Sequence, residues 1–426
     1  SLKLAPGILR ALAGQATKGN IIITGTNGKT TTAALIAHIL KSAGYPVVSN
    51  SAGSNLSWGI TTSLINASTW GGKLNRRYGV LEVDEGVFPG LAGQLHPAGA
   101  VITNIFPDQL DRFGTVDNIQ QSIQRGLAAI TENCFQVLNA DDPFLASLQD
   151  NCSHRWYYGL EMPPDQNLLS GHQIQNYTCP HCRQILHYRQ VFLAHLGHYR
   201  CPACGFTRPR PEVSLLSYSR TPEGTVTLNL NLKGLREEVH CHLPGSYNVY
   251  NLLAGLTAAL ALDIPVSTIK QALSSFSPAN SRLKRLTLRK SKQSLVISLM
   301  KNAVGADQAL EQVLDTNQEL SLLIVINDQL ADGVDVSWLW NARFEQLADC
   351  QERFFTLTVS GTRAWDMAVR LKYAGLDYHR IVVQKNLELA LTSTLQATPP
   401  GKTVFILPNY TALAGINRAV RRLGII

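Results

Sequence analysis

Residues 20–32 read Asn20-Ile-Ile-Ile-Thr24-Gly25-Thr26-Asn27-Gly28-Lys29-Thr30-Thr31-Thr32. The β-branched run 20–24 predicts a short buried strand. Thr31 to Ala43, with Ala-Ala-Leu-Ile-Ala-His-Ile-Leu on its inward side, predicts a helix. A strand, a glycine loop and a helix in that order form a phosphate-binding loop. The glycines let backbone N–H groups turn toward an anion, and the helix N-terminus adds its dipole. Lys29 then offers a mobile charge to the β and γ phosphates of ATP, and the Thr30 hydroxyl is placed for Mg²⁺. Gly25, Thr26, Asn27, Gly28, Lys29, Thr30 and Thr31 are the expected nucleotide contacts. The spacing is shorter than the usual Walker motif.

Strands at Tyr78–Val83, Ala100–Asn104 and Gln136–Asn139 alternate with helical stretches such as Val116–Ile130, which argues for a mostly parallel sheet. Ligands of such sheets bind at the carboxyl ends of the strands. Glu82, Asp84, Glu85, Asn104 and Asp108 occupy those ends. Glu82 is the expected Mg²⁺ carboxylate, with Asp84 and Glu85 as close competitors. From about residue 160 the pattern changes. Residues 213–243 alternate as β structure, and Asn248–Leu262 is an Ala/Leu-rich helix. Five further strands (Leu295–Leu299, Leu322–Asn327, Phe354–Val359, Arg380–Val383, Thr403–Leu407) predict a second α/β domain.

The 426 residues, 45% hydrophobic and 16% charged, fit two globular domains. No apolar run reaches the length of about 20 residues needed for a membrane span, and the first residues do not read as a secretory signal. The net charge of +8 is spread along the chain, which suits a solvated basic face or an anionic substrate better than nucleic acid. Four of the eight cysteines form two knuckles, Cys179-Pro-His-Cys182 and Cys201-Pro-Ala-Cys204. This is the pattern of a structural Cys₄ zinc ribbon in a reducing cytoplasm, with His181 and His198 flanking it. Cys134 and Cys350 read as buried, inert thiols.

The glycine loop, Thr103-Asn104 with Asp108-x-Leu-Asp111, Asn139-Ala-Asp141-Asp142-Pro143, and Pro244-Gly245-x-x-Asn248-x-x-Asn251 together resemble the Mur ligases, in which ATP activates a carboxylate as an acyl phosphate for attack by an amine. That resemblance implies an α/β fold. Its central P-loop domain would span residues 1–280, with a zinc-ribbon insertion at about 170–210. A smaller C-terminal α/β domain at 281–426 would carry the contact with a glutaminase partner. The Cys-rich insertion and the Asp332-Gly333-Val334-Asp335-Val336-Ser337-Trp338 signature are similar to the branch of the family that works with a separate GatD-type glutaminase.

The resemblance to that branch implies amidation of the D-glutamate α-carboxylate of lipid II in peptidoglycan synthesis. The reaction would occur in the cytoplasm at the inner face of the membrane, with contact to the membrane surface. By position it further implies nucleotide contacts at Asn248, Asn251, Arg282 and Asn302, Mg²⁺ at Thr30 and Glu82, and a role for Asp335 in completing the partner's Cys–His pair. Gln109, Ser281, Ala303 and Asn341 depart from the family's pattern, and the resemblance to this branch implies that the N-terminal UDP-substrate domain of the larger ligases is absent. Two alternatives are a Mur- or folate-type ligase with another carboxylate substrate and a zinc-ribbon nucleic-acid-binding ATPase. Tyr188, Arg189, Tyr199, Arg200, Arg208 and Arg210 would serve the second.

Overall fold

A computed structural model describes residues 5, 7–50, 54–106, 116–148, 152–163, 177–221, 225–242, 248–276, 283–288, 291–316, 318–329 and 332–422. The chain divides into two compact units, one within residues 1–106 and 115–279 and the other within 280–426.

In the first unit the strands are β1 (Asn20–Thr24), β2 (Val47–Ser49), β3 (Tyr78–Glu82), β4 (Pro97–Ile102), β5 (Phe135–Asn139), β6 (Arg155–Leu160), β7 (His187–Leu193), β8 (Leu196–Arg200), β9 (Val213–Arg220), β10 (Thr225–Leu232) and β11 (Leu235–His242). Nine of them form one sheet in the order β11-β10-β9-β6-β5-β4-β1-β3-β2. The pairs from β2 across to β9 are parallel, and β9, β10 and β11 extend the sheet as an antiparallel meander. β1, β3 and β5 are buried along their whole length, as expected for strands covered on both faces. β7 and β8 make a separate hairpin.

The second unit adds β12 (Leu283–Thr287), β13 (Ser294–Ser298), β14 (Leu320–Val325), β15 (Phe354–Ser360), β16 (Ile381–Val383) and β17 (Thr403–Pro408), in the order β12-β13-β17-β14-β15-β16. Only β12 runs antiparallel. Apolar clusters lie on both sides of this sheet.

The structure differs from the sequence reading at element ends. The helix after the glycine loop starts at Lys29, two residues early, because Gly28 at φ 87° closes the loop directly onto it. β4 stops at Ile102 because Thr103 and Asn104 turn their hydrogen bonds to the glycine loop. β2 and β6 do not stand out in the sequence: β2 has three residues, and β6 mixes Arg, Trp and Tyr. Cys134 is buried and directs its Sγ at the carbonyl of Pro97, whereas Cys350 is only half-buried.

Candidate active site

The glycine loop is locked to the end of β4. Asn27 N–H donates to Asn104 Oδ1 at 3.0 Å, and its carbonyl accepts from Thr103 Oγ1 at 2.7 Å. The Thr26 hydroxyl exchanges hydrogen bonds with the backbone of Phe106. Gly25 has φ 120°, and a Cβ there would overlap Thr103 Oγ1. A Cβ on Gly28 would sit 1.8 Å from Asn251 Oδ1. Only glycine permits these two approaches.

Lys29 and the strand-end carboxylates form a buried cluster. Lys29 Nζ lies 3.0 Å from Glu85 Oε2 and donates to the carbonyls of Gly25 and Thr26. Burial alone would lower the lysine's pKa, but the charges of Glu85, Glu82 and Asp84 outweigh it and raise the value. The Thr30 hydroxyl donates to Glu82 Oε2 at 2.8 Å. A hydroxyl and a carboxylate, both hard oxygen donors, meet here at the start of a phosphate-loop helix, which fits Mg²⁺. Asp84 instead accepts from Gly86 N–H.

Asn50, which the sequence reading did not single out, clamps Glu82. Its Oδ1 accepts from Glu82 N–H at 2.9 Å and its Nδ2 donates to the Glu82 carbonyl at 2.8 Å. Nothing in the short β2 strand signals this role.

Asn248 and Asn251 lie on the first turn of the Asn248–Ala261 helix, both buried, with Asn251 Nδ2 donating to Asn248 Oδ1 at 2.9 Å. The glycine loop and these two asparagines therefore share one wall. Asn139 ends β5 and Asp141 lies in the turn after it, and both are buried. Arg282, Asp108, Gln109 and Ser281 lie outside the described residues.

The four knuckle sulfurs lie within 4.8 Å of one another. Cys179 and Cys204 are 3.6 Å apart and Cys182 and Cys201 3.4 Å. A tetrahedral zinc site with bonds of about 2.3 Å has sulfur–sulfur edges of roughly 3.8 Å, so the set can hold such an ion. Backbone N–H groups of Cys204 and Ala203 lower the Cys201 thiol to about 6, while burial and the neighbouring sulfurs raise Cys182 and Cys204.

Three of the six ribbon residues that would suit nucleic acid are engaged elsewhere, whereas Arg189, Arg200 and Arg210 are exposed. Tyr188 and Tyr199 donate to the carbonyls of His195 and Ala140, and Arg208 pairs with Asp141 and Glu161. His181 packs against Phe206, and His198 lies 2.7 Å from the Leu160 carbonyl.

In the second unit Asp335 is exposed. Its two oxygens accept from the backbone N–H and hydroxyl of Ser337, at 2.7 and 2.8 Å. Asp332 is buried and accepts from Thr411 N–H at 2.7 Å. Asn302 caps the Ala303–Leu314 helix, its Oδ1 accepting from Gly305 N–H at 2.8 Å.

This site, set on the sheet described above, defines a Mur-type ligase. A family profile described as the Mur ligase middle domain matches residues 23–185, and one described as MurT ligase C-terminal matches 299–413. The fold agrees with that of a pseudomurein peptide ligase type C from Methanothermus fervidus (TM-score 0.70, 22% identity, covering 97% of this chain and 80% of that one). It also agrees with that of MurF from Acinetobacter baumannii (TM-score 0.70, 17% identity, 99% and 80% covered). The lipid II isoglutaminyl synthase (glutamine-hydrolyzing) subunit MurT of Staphylococcus aureus strain COL is 33% identical over 420 residues, covering 99% of this chain and 91% of that protein. The MurT subunit of Streptococcus pneumoniae R6 is 33% identical over 397 residues, covering 92% and 85%. The chain belongs to the MurT family.

Proposed function

We propose that this chain is the synthetase subunit of a lipid II isoglutaminyl synthase. In that reaction the α-carboxylate of D-glutamate takes the γ-phosphoryl group of ATP, ADP leaves, and ammonia displaces phosphate to give the amide. The observation that carries this reading is the match to MurT subunits along nearly the whole chain, with a buried Lys29–carboxylate cluster behind a glycine loop.

Lys29 binds the β and γ phosphates, exchanging the carbonyls of Gly25 and Thr26 for phosphate oxygens. Thr30 and Glu82 hold Mg²⁺, which offsets charge on the phosphates when bound. Asn50 keeps Glu82 in register with Thr30. Asn248 and Asn251 meet the nucleotide beside Gly28, and Arg282 and Asn302 contribute further contacts. The four cysteines hold a structural zinc. Their set is closed, with all four ligands supplied by protein sulfur, so the zinc has no position for substrate.

Ammonia comes from a GatD-type glutaminase bound to the C-terminal domain, and Asp335 orients the histidine of the partner's Cys–His pair. Its exposure and its anchoring by Ser337 suit that role. Work at the inner face of the membrane fits the exposed Trp58 and Trp70 on the first unit. No helix of the described residues is long and apolar enough to cross a membrane.

The test is to co-express the chain with a GatD-type glutaminase and follow lipid II by mass spectrometry. Conversion of the carboxyl to the amide that depends on both glutamine and ATP is the expected result. A complex that hydrolyses ATP only with another carboxylate substrate would favour the general ligase reading.

A further inference from the structure

Arg208 follows directly on the second cysteine pair and inserts into the body of the first unit, its side chain 9% exposed. Its Nε donates to Asp141 Oδ1 at 2.5 Å, Nη1 to Glu161 Oε1 at 2.6 Å and Nη2 to the Leu160 carbonyl at 3.1 Å. Asp141 has no exposed surface. Its other oxygen accepts from Leu160 N–H at 2.9 Å and from the Tyr250 hydroxyl at 2.7 Å. The sequence makes room for this pair: a Cβ on Gly159 would lie 2.6 Å from Arg208 Nη2 and 2.8 Å from Asp141 Oδ1.

Tyr250 is the residue before Asn251, whose amide lies against Gly28 of the glycine loop. The ribbon therefore connects to the nucleotide wall through three side chains: Arg208, Asp141 and Tyr250. It grips the end of β5 at two neighbouring points as well. Tyr199 donates to the Ala140 carbonyl at 3.0 Å, and His195 lies 3.4 Å from Asp142 with its ring edge-to-face on Phe106. Phe106 in turn donates its N–H to Thr26 of the loop.

We infer that Arg208 is a positioning residue for the nucleotide. By donating to Asp141 Oδ1 it holds that carboxylate in place, with Oδ2 aimed at the Tyr250 hydroxyl. Tyr250 fixes the roll of the Asn248–Ala261 helix, and with it the place where Asn248 and Asn251 meet ATP. Without Arg208 the buried carboxylate loses its counter-charge and the donor that fixes Oδ1, so it turns and releases Tyr250. The ribbon thereby acts as a brace for the ATP site as well as a folded insertion.

The inference rests on the reading of Asn248 and Asn251 as nucleotide contacts, and it is tested by nucleotide binding itself. A complex that binds ATP but leaves lipid II untouched would refute the proposed substrate and still test the brace. Tyr250→Phe, Arg208→Gln and their double variant are purified with the glutaminase. A fluorescent ATP analogue gives Kd, and steady-state kinetics gives KM and kcat. Each single variant is expected to weaken ATP binding by about tenfold to a hundredfold, with KM for glutamine unchanged. The double variant is expected to be no weaker than the worse single, because both act through Asp141. Unchanged ATP affinity in both single variants, with or without a lower melting temperature, overturns the inference, and so do effects that multiply in the double. Tyr250→Phe removes one hydroxyl and keeps the test open even if an arginine variant does not fold.

Discussion

Lys29 is held between its own loop carbonyls and Glu85, and this governs how the site responds to pH. Its folded pKa is raised, so the stability it contributes is fully present below the ordinary lysine value and is lost as pH climbs through the raised one. Stability between about pH 7 and pH 9 should therefore show no Lys29 titration. Glu85→Gln leaves the buried ammonium with neutral acceptors only. It should cost about 1–3 kcal/mol throughout that window. Urea denaturation at the two ends of the window measures the loss; wild-type stability in the variant would refute the assignment. Asp335→Asn belongs to the same scale. The exposed turn can keep its bond from Ser337 N–H, so ATP binding should match wild type while glutamine-dependent amidation disappears. Undiminished glutaminase activity in the reconstituted complex would exclude the orienting role.

Helix caps and cysteine knuckles carry the next level of prediction. Asn302→Ala removes the cap of the Ala303–Leu314 helix and should destabilise the second unit by about 1 kcal/mol. A chemical denaturation midpoint that does not move would show that the cap is dispensable. Cys201→Ser should lower zinc content and expose the β7–β8 hairpin to protease, since four cysteines are needed for the closed set. Full zinc occupancy in that variant would argue for a different ligand set. These elements were legible because their signals are local. Gly25, Gly28 and Lys29 mark the loop by spacing, and the two Cys-x-x-Cys pairs mark the ribbon. Asn50, Asp141 and Arg208 were not assigned their roles because those depend on partners distant in sequence: Asn50 on Glu82, Asp141 on Tyr250 and Arg208 on Asp141. Arg208 by composition suited a basic nucleic-acid surface, and only its buried carboxylate partner turns that reading inward. The antiparallel β9–β11 extension was visible as alternation, but its attachment to the parallel sheet through β6 was not.

Assembly with a partner belongs to the scale of the whole molecule, and the second unit carries the features that bear on it. On the Ala364–Tyr373 helix, Trp365, Val369 and Tyr373 recur at every fourth position and are 59%, 45% and 73% exposed. Trp340, itself 55% exposed, packs against Tyr373 with ring centroids 5.7 Å apart. Buried Arg370 fixes this surface from behind, donating to the carbonyls of Leu339 and Ala342 and to Glu345. Trp340 ends the short 3₁₀ turn that begins at Ser337, the residue holding Asp335. A rigid aromatic face continuous with the Asp335 turn is the surface expected to receive the glutaminase, since aromatic anchors concentrate binding energy. Trp365→Asp combined with Tyr373→Asp places two charges on that face without touching Arg370 or the sheet. The variant should fold and bind ATP as the wild type does, yet lose at least about a hundredfold in affinity for the glutaminase. Size-exclusion chromatography and calorimetry on the mixed subunits measure this. A complex that forms with undiminished affinity would move the partner's seat off this helix, leaving Asp335 to be reached from the opposite side of its turn.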